Sequence, residues 1–139
     1  MKRRRGIWLL LGLALCAAAA IFWVCRDRSA LPLDTENADS IRFTVCPQED
    51  SNITVIDDDR VRAIVEAIND LDVGEGTGPV NRMSEHYYSL WVYIGGEDIP
   101  VELDEQTISV DGESYQADTS DLRALFTQTY DDIMRGKID

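Results

Sequence analysis

Apolar residues follow two distinct patterns along the chain, a continuous run near the N-terminus and short periodic runs afterwards. The continuous run covers 7–25, nineteen residues without a charged side chain. Further on, apolar and polar residues alternate over 41–46, and a second β-rich run follows over 52–56. A period of two is typical of half-buried strands, so we expect a strand pair here.

The apolar spacing then lengthens to that of a helix. Its apolar positions are Val61, Ile64, Val65, Ile68 and Leu71. Asp57 or Asp58 is suited to cap the N-terminus of this helix, and Gly74 is suited to end it. No periodicity is visible over 74–85, where we expect a loop.

Four strands of an antiparallel meander are predicted next, over 87–94, 99–103, 107–110 and 114–117. Gly95-Gly96 and Asp111-Gly112 separate apolar runs and are typical of tight hairpin turns. Pro100 has no backbone N–H to donate. We therefore expect its strand to lie at an edge of the sheet or to be bulged there.

A helix capped by Thr119 or Ser120 closes the chain, and Gly136 lies past its end. Its apolar stripe consists of Leu122, Leu125, Phe126, Tyr130, Ile133 and Met134. A strand pair, a helix, a meander and a final helix predict an α+β fold. It is a two-layer domain over 40–136, in which two helices pack on one antiparallel meander sheet, followed by a tail over 137–139.

The run over 7–25 has the length and the flanks of a transmembrane helix. At 1.5 Å per residue it is about 28 Å long, close to the thickness of the hydrocarbon core of a bilayer. Residues 1–6 hold four basic side chains, whereas 26–28 hold two arginines and an acid, so the N-terminus is expected in the cytoplasm. Residues 26–39 lack periodicity and are interpreted as a tether. We predict a single-pass protein of the cell membrane with its C-terminal domain extracytoplasmic.

A cleaved signal peptide and a lipoprotein are the alternative interpretations of this run. Ala18-Ala19-Ala20 offers a small-residue cleavage site, but the apolar residues 21–24 follow it. Cys16 is a candidate for lipidation, but Leu15 stands where a lipoprotein signal has Gly or Ala. Both alternatives stay open, and the uncleaved anchor is favoured.

Charge separates the predicted domain from the anchor. Residues 31–139 carry 25 acidic and 7 basic side chains, a net charge of −18. This balance argues against nucleic acid as a partner and against close adsorption to anionic lipid. Solubility accounts for it, and a cationic partner is compatible with it.

One face of the predicted meander offers a candidate ligand-binding site. Tyr88, Leu90, Val92 and Ile94 share the face expected to meet the core. The opposite face carries Tyr87, Trp91 and Tyr93, with Glu102 on the next strand. Aromatic rings beside an acid can stack on a sugar or hold a cationic peptide. The alternatives are that a helix covers this face or that the rings only shield the sheet.

Signals for metal or catalytic chemistry are weak. His86 is the only histidine and Cys46 the only cysteine beyond the predicted anchor, too few ligands for a closed zinc site. The acidic residues of 70–81 do not follow the twelve-residue calcium-loop pattern. Neither a nucleophile elbow nor a phosphate-binding loop is present. We expect no metal, no cofactor and no enzymatic activity.

The segments NITVIDDDRVRAIVEAINDL, YYSLWVYI and ISVDGESYQA resemble small uncharacterised extracytoplasmic domains of Gram-positive bacterial lipoproteins and single-pass membrane proteins. The resemblance covers about 41–126 and lies in the succession of strands and turns. It implies an extracytoplasmic α+β module on a bacterial surface and transfers no functional residue. With the anchor, it leads us to expect a non-enzymatic module that binds or senses a peptide, a cell-wall fragment or another membrane protein. The alternative is an accessory subunit of a membrane complex that acts through its transmembrane helix.

Overall fold

A computed structural model describes residues 10–18, 30–48, 52–75 and 78–139. These residues form an α+β fold with a seven-stranded antiparallel sheet and three helices. The strands are β1 Ala38–Val45, β2 Ile53–Val55, β3 Gly74–Glu75, β4 Tyr88–Ile94, β5 Glu97–Leu103, β6 Thr107–Val110 and β7 Glu113–Gln116. The helices are α1 over 10–18, α2 Asp58–Asn69 and α3 Ser120–Met134.

Helix α1 lies within the predicted anchor. Among the described residues, the structure contains no helix of the length and apolarity needed to cross a membrane. The remainder of the predicted anchor, 7–9 and 19–25, lies outside the described residues. The same is true of the predicted cytoplasmic segment 1–6 and of 26–29 in the predicted tether.

The sheet has the strand order β2-β1-β4-β5-β6-β7-β3, with every pairing antiparallel. The predicted meander is confirmed in β4 to β7. Its hairpins are tight because both residues of Gly95-Gly96 and of Asp111-Gly112 have positive φ, which gives turns that match the twist of the strands. The two edges of the sheet are the shortest described strands, three residues in β2 and two in β3.

The prediction that Pro100 places its strand at an edge or a bulge is wrong. β5 lies between β4 and β6, and its pairing with β4 runs without a register shift. The carbonyl of Pro100 accepts a hydrogen bond from the backbone N–H of Asp111 at 2.9 Å. In an antiparallel strand the nitrogen of a residue points to the same side as its carbonyl. The nitrogen of Pro100 therefore faces the turn that follows β6, where no ladder bond is required.

The hydrophobic core lies between one face of the sheet and the helices α2 and α3. Leu90, Val92, Val101 and Leu103 on this face are at most 1% exposed, which confirms the predicted core face. The helices contribute the buried residues Val61, Ile64, Val65, Ile68, Leu122 and Phe126. Both helices thus pack on the same side of the sheet, and we call the other side the outer face.

Three aromatic rings form the centre of the contact between α3 and the sheet. Phe43 of β1, Tyr88 of β4 and Phe126 of α3 have ring centroids 5.0–6.3 Å apart in edge-to-face arrangements. Such pairs contribute about 0.5–1.5 kcal/mol beyond the burial of their area. This cluster fixes the position of α3 below the sheet.

The helix ends follow the predicted capping residues in part. The carboxylate of Asp57 accepts a hydrogen bond from the N–H of Arg60 at 2.8 Å, so Asp57 is the N-cap of α2. This helix ends at Asn69, and Gly74 belongs to β3 instead of ending the helix. Thr119 is the N-cap of α3, and Gly136 follows this helix with a φ of +68°.

The residues before β1 are packed against the domain. The side chain of Leu33 is 5% exposed, and its backbone exchanges two hydrogen bonds with the side chain of Asn69. The carbonyl of Asn37 accepts a hydrogen bond from the N–H of Gly95 at 3.0 Å. Contacts with residues distant in the sequence therefore hold the described part of the predicted tether, 30–39, against the domain.

Candidate functional site

The outer face is built by the alternation of side chains along β4. Ser89, Trp91 and Tyr93 point away from the core residues between them, and Trp91 is 38% exposed. Across the sheet, Trp91 lies opposite Arg42 of β1 and Pro100 of β5. The cross-strand neighbours of Trp91 are therefore a cationic side chain and a pyrrolidine ring, and part of the Trp91 surface is open to solvent.

A hydrogen-bonded cluster of Tyr87, Glu102 and Arg82 lies at one end of this face. The hydroxyl of Tyr87 donates to Oε1 of Glu102 at 2.5 Å. The guanidinium of Arg82 donates from Nη2 to Oε2 of Glu102 at 3.2 Å, and its Nε forms an ion pair with Oε1 at 3.1 Å. Since both oxygens of Glu102 accept hydrogen bonds, this carboxylate holds the segment before β4 against the sheet.

The cluster changes the proton affinity of two of its members. Burial raises the pKa of Tyr87 above its usual value, and the hydrogen bond to Glu102 raises it further. The hydrogen bond and the charge of Glu102 raise the pKa of Arg82. Tyr87 therefore stays a neutral donor and Arg82 a cation throughout the physiological range.

The carboxylate of Asp104 fixes the position of the segment 78–87. Its Oδ2 accepts from the N–H of Asn81 at 2.7 Å, and its Oδ1 accepts from the N–H groups of Gln106 and Thr107 at 2.8 Å. Asp104 is only 6% exposed, and Val80, one residue before Asn81, is 8% exposed. This segment therefore lies on the domain, although its sequence shows no periodicity.

An open cleft separates this segment from the strands beside it. Its lining residues are Pro79, Val80, Asn81, Arg82, Glu102, Ser109, Gly112 and Ser114. The cleft borders the cluster through Arg82 and Glu102, which belong to both. Its lining combines apolar, hydroxyl and charged groups.

The four residues predicted as a ligand-binding site all lie on or beside the outer face, but they do not form one contact group. Tyr87 and Glu102 are joined directly. Trp91 is opposite Pro100, two residues from Glu102, and Tyr93 is opposite Asp98, four residues from Glu102. At about 3.3 Å per residue, Tyr93 is therefore about 13 Å along the sheet from the cluster.

Sequence reasoning missed Arg82 and Asp104. Arg82 lies in a stretch without periodicity, so nothing in the sequence places it against Glu102. Asp104 follows an apolar run and resembles an ordinary turn residue, and only its burial distinguishes it. Among the described residues, no group of three or more His, Cys, Asp or Glu side chains is arranged to hold a metal ion.

No protein-family model, no curated protein and no solved structure matches this chain. The fold and the site define an acidic α+β domain with both large helices on one face of its sheet and an open, partly aromatic face on the other.

Proposed function

We propose that this chain is a non-enzymatic, membrane-tethered extracytoplasmic binding module whose outer face docks a cationic polypeptide segment of a partner at the cell surface. The observation that carries the proposal is the open outer face, with Trp91 38% exposed while α2 and α3 pack on the opposite side. A tryptophan in the middle of a sheet face is a strong anchor for a partner, because it offers a large rigid surface.

Charge favours a cationic partner over an anionic or neutral one. Residues 31–139 carry a net charge of −18, so the potential around the domain attracts basic segments and repels nucleic acid. An Arg or Lys side chain of the partner can stack on the exposed ring of Trp91. The exposed carboxylate of Asp98, opposite Tyr93, is available on the same face for an ion pair.

Membrane attachment is supported by the sequence over 7–25. This stretch has no charged residue, and the basic residues before it outnumber those after it. The N-terminus then lies in the cytoplasm and the acidic domain outside it. A partner in this location is another membrane protein or a secreted polypeptide.

The proposal is tested by capturing partners from membranes of the cells that produce this protein. Three forms are compared: the full-length protein, the same protein with a foreign anchor helix, and Trp91→Ala. Met134→Ala on α3, also an exposed apolar side chain at 50%, is the matched control. We expect one partner to be captured by the full-length protein, by the foreign-anchor form and by Met134→Ala. Its capture by Trp91→Ala should fall about tenfold or more, as for an interface hot spot.

Two outcomes contradict the proposal. If the partner is lost when the anchor is exchanged, the transmembrane helix carries the specificity and the chain is an accessory subunit. If Trp91→Ala captures as much partner as Met134→Ala while its circular dichroism is unchanged, the outer face is not the docking surface.

A further inference from the structure

The segment 30–37 is attached to the domain along its length. Asn69 makes the central contact: its Oδ1 accepts from the N–H of Leu33 at 2.7 Å, and its Nδ2 donates to the carbonyl of Leu33 at 2.9 Å. Nδ2 of Asn69 also donates to the hydroxyl of Thr35 at 3.4 Å. Together with the burial of the Leu33 side chain, these bonds make the segment part of the folded domain.

Both ends of this segment contact the same end of the sheet. The N–H of Ala30 donates to Oε2 of Glu113 at 3.1 Å, and the carbonyl of Asn37 accepts from the N–H of Gly95 at 3.0 Å. Glu113 begins β7 and Gly95 follows β4, so these contacts lie at the β4–β5 and β6–β7 hairpins. We call this the hairpin end of the sheet. The opposite end, at the turn 104–106 between β5 and β6, is the far end.

Little chain remains between the predicted anchor and the hairpin end. The anchor is predicted to end at Cys25, and Ala30 is already in contact with the domain. Five residues span at most about 18 Å when fully extended. The seven residues of β5 are about 23 Å long, so the connection is shorter than the sheet is tall.

We propose that the docked segment holds the domain upright, with the hairpin end facing the bilayer and the far end facing away. This inference rests on the proposed membrane attachment. The outer face then stands along the membrane normal and is open to partners that approach from the side. A flexible tether of fourteen residues, 26–39, would instead let the domain rotate freely.

The charges of the hairpin end agree with this arrangement. The segments 30–39, 95–98 and 111–113 contain seven acidic residues and no Lys or Arg. These acids oppose adsorption of the domain onto an anionic membrane surface, so the connection keeps the domain near the bilayer without collapse onto it.

Two labelling sites distinguish an upright domain from a freely rotating one. Cys16, Cys25 and Cys46 are first replaced by Ala, and a donor dye is then attached to Glu97→Cys at the hairpin end or to Gln106→Cys at the far end. Both side chains are exposed. The full-length protein is reconstituted in phosphatidylcholine liposomes that contain a headgroup-labelled acceptor lipid, and energy transfer to the membrane plane is measured.

We expect clearly higher transfer from position 97 than from position 106, equivalent to a difference in height of roughly 20 Å. Asn69→Ala should reduce this difference to less than half, whereas Glu66→Ala, on an exposed position of the same helix, should leave it unchanged. Leu33→Ala is the second variant expected to detach the segment 30–37. Unlike Asn69→Ala, it does not change a residue at the end of α2. Circular dichroism checks the fold of each variant.

Equal transfer from the two positions, in protein that floats with the liposomes, overturns the upright arrangement and leaves the proposed attachment standing. A full difference retained in folded Asn69→Ala and Leu33→Ala overturns the role of the docked segment. Protein that does not float with the liposomes overturns the attachment and this inference with it.

Discussion

Asp104 offers a direct way to release the segment that carries Arg82 and Tyr87 to the outer face. Its carboxylate is 6% exposed and accepts hydrogen bonds from three backbone N–H groups at 2.7–2.8 Å. A hydrogen bond to a charged group contributes about 1.5–3 kcal/mol, and donors left unpaired in a buried place add to the loss. We expect Asp104→Ala to lower the free energy of unfolding by about 3–5 kcal/mol, a large part of the 5–15 kcal/mol that is typical of a domain.

Asp104→Asn should lower the free energy of unfolding by less than Asp104→Ala does, because the amide can keep two of the three hydrogen bonds. Its remaining oxygen can keep the paired donors of Gln106 and Thr107, while the new NH2 group meets the N–H of Asn81 and cannot accept from it. One of three bonds is then lost. We expect a decrease of about 1.5–3 kcal/mol in the free energy of unfolding.

Urea denaturation of the full-length protein in mild detergent, followed by far-UV circular dichroism, measures both values. Glu97→Gln, which changes an exposed acid at the start of β5, is the control. It should change the free energy of unfolding by less than about 0.5 kcal/mol. If Asp104→Ala is no more destabilising than Glu97→Gln, the contacts of this carboxylate with the N–H of Asn81 and with the turn at Gln106 and Thr107 do not stabilise the domain. If Asp104→Asn costs as much as Asp104→Ala, the geometric reasoning is refuted.

Three further perturbations test the core, a hairpin and the charge state. Phe126→Ala should lower the free energy of unfolding by about 3–5 kcal/mol, because this ring is 1% exposed and joins α3 to the sheet. Gly112→Ala should cost about 1–2 kcal/mol, since its φ of +84° is unfavourable for a residue with a Cβ, even though the space around it is open. Acidification below about pH 4 should reduce stability, because hydrogen bonds lower the pKa of Glu113, from Tyr115, and of Asp118, from Ser120.

Each of these expectations has its own control and its own refuting result. Phe126→Leu keeps most of the buried volume and should cost clearly less than Phe126→Ala, so equal losses would contradict the packing argument. Gly78→Ala adds a methyl group in open space without a positive φ, and a similar loss there would show that φ is not the cause. For the acid response, the lowered pKa values mean that stabilisation is present above pH 4 and is lost as the folded carboxylates protonate. A free energy of unfolding that rises between pH 4 and pH 2 would therefore have the wrong sign.

The alternation of the meander could be interpreted from local sequence alone. Trp91 and its neighbours Leu90 and Val92 take opposite faces, as the period of two requires. The Asp111-Gly112 turn forms as predicted, because Gly accepts a positive φ without strain and Asp tolerates one. These features depend on residues next to each other in the chain.

Features that depend on distant partners were missed or misjudged. β3 consists of Gly74 and Glu75 and is defined by its pairing with β7. No side-chain pattern in the sequence predicts this strand. Leu33 packs in the hydrophobic core and its backbone is bonded to Asn69, thirty-six residues away, whereas its local sequence, Leu31-Pro32-Leu33, shows no strand or helix period. The environment of Pro100 depends on where β6 ends, which the residues around Pro100 do not reveal.

The sequence predicts which strand residues belong to the candidate site but not which of them are in contact. Tyr87 and Glu102 were recognised because strand periodicity places both on the outer face. Their direct contact, and the participation of Arg82, required the register of β4 against β5 and the path of the segment 78–87. A segment without periodicity, such as 78–87, does not show in its sequence which strand residues it contacts.

The shortness of the two edge strands has a consequence for how copies of this protein behave when they are crowded. In the part of the chain that the structure describes, β2 offers three residues and β3 two for pairing with a neighbouring chain, so both edge strands are short templates for an additional strand. The longest strands, β1, β4 and β5, all have neighbours on both sides. Copies of this domain at high concentration therefore have little free strand edge through which their sheets could join into aggregates.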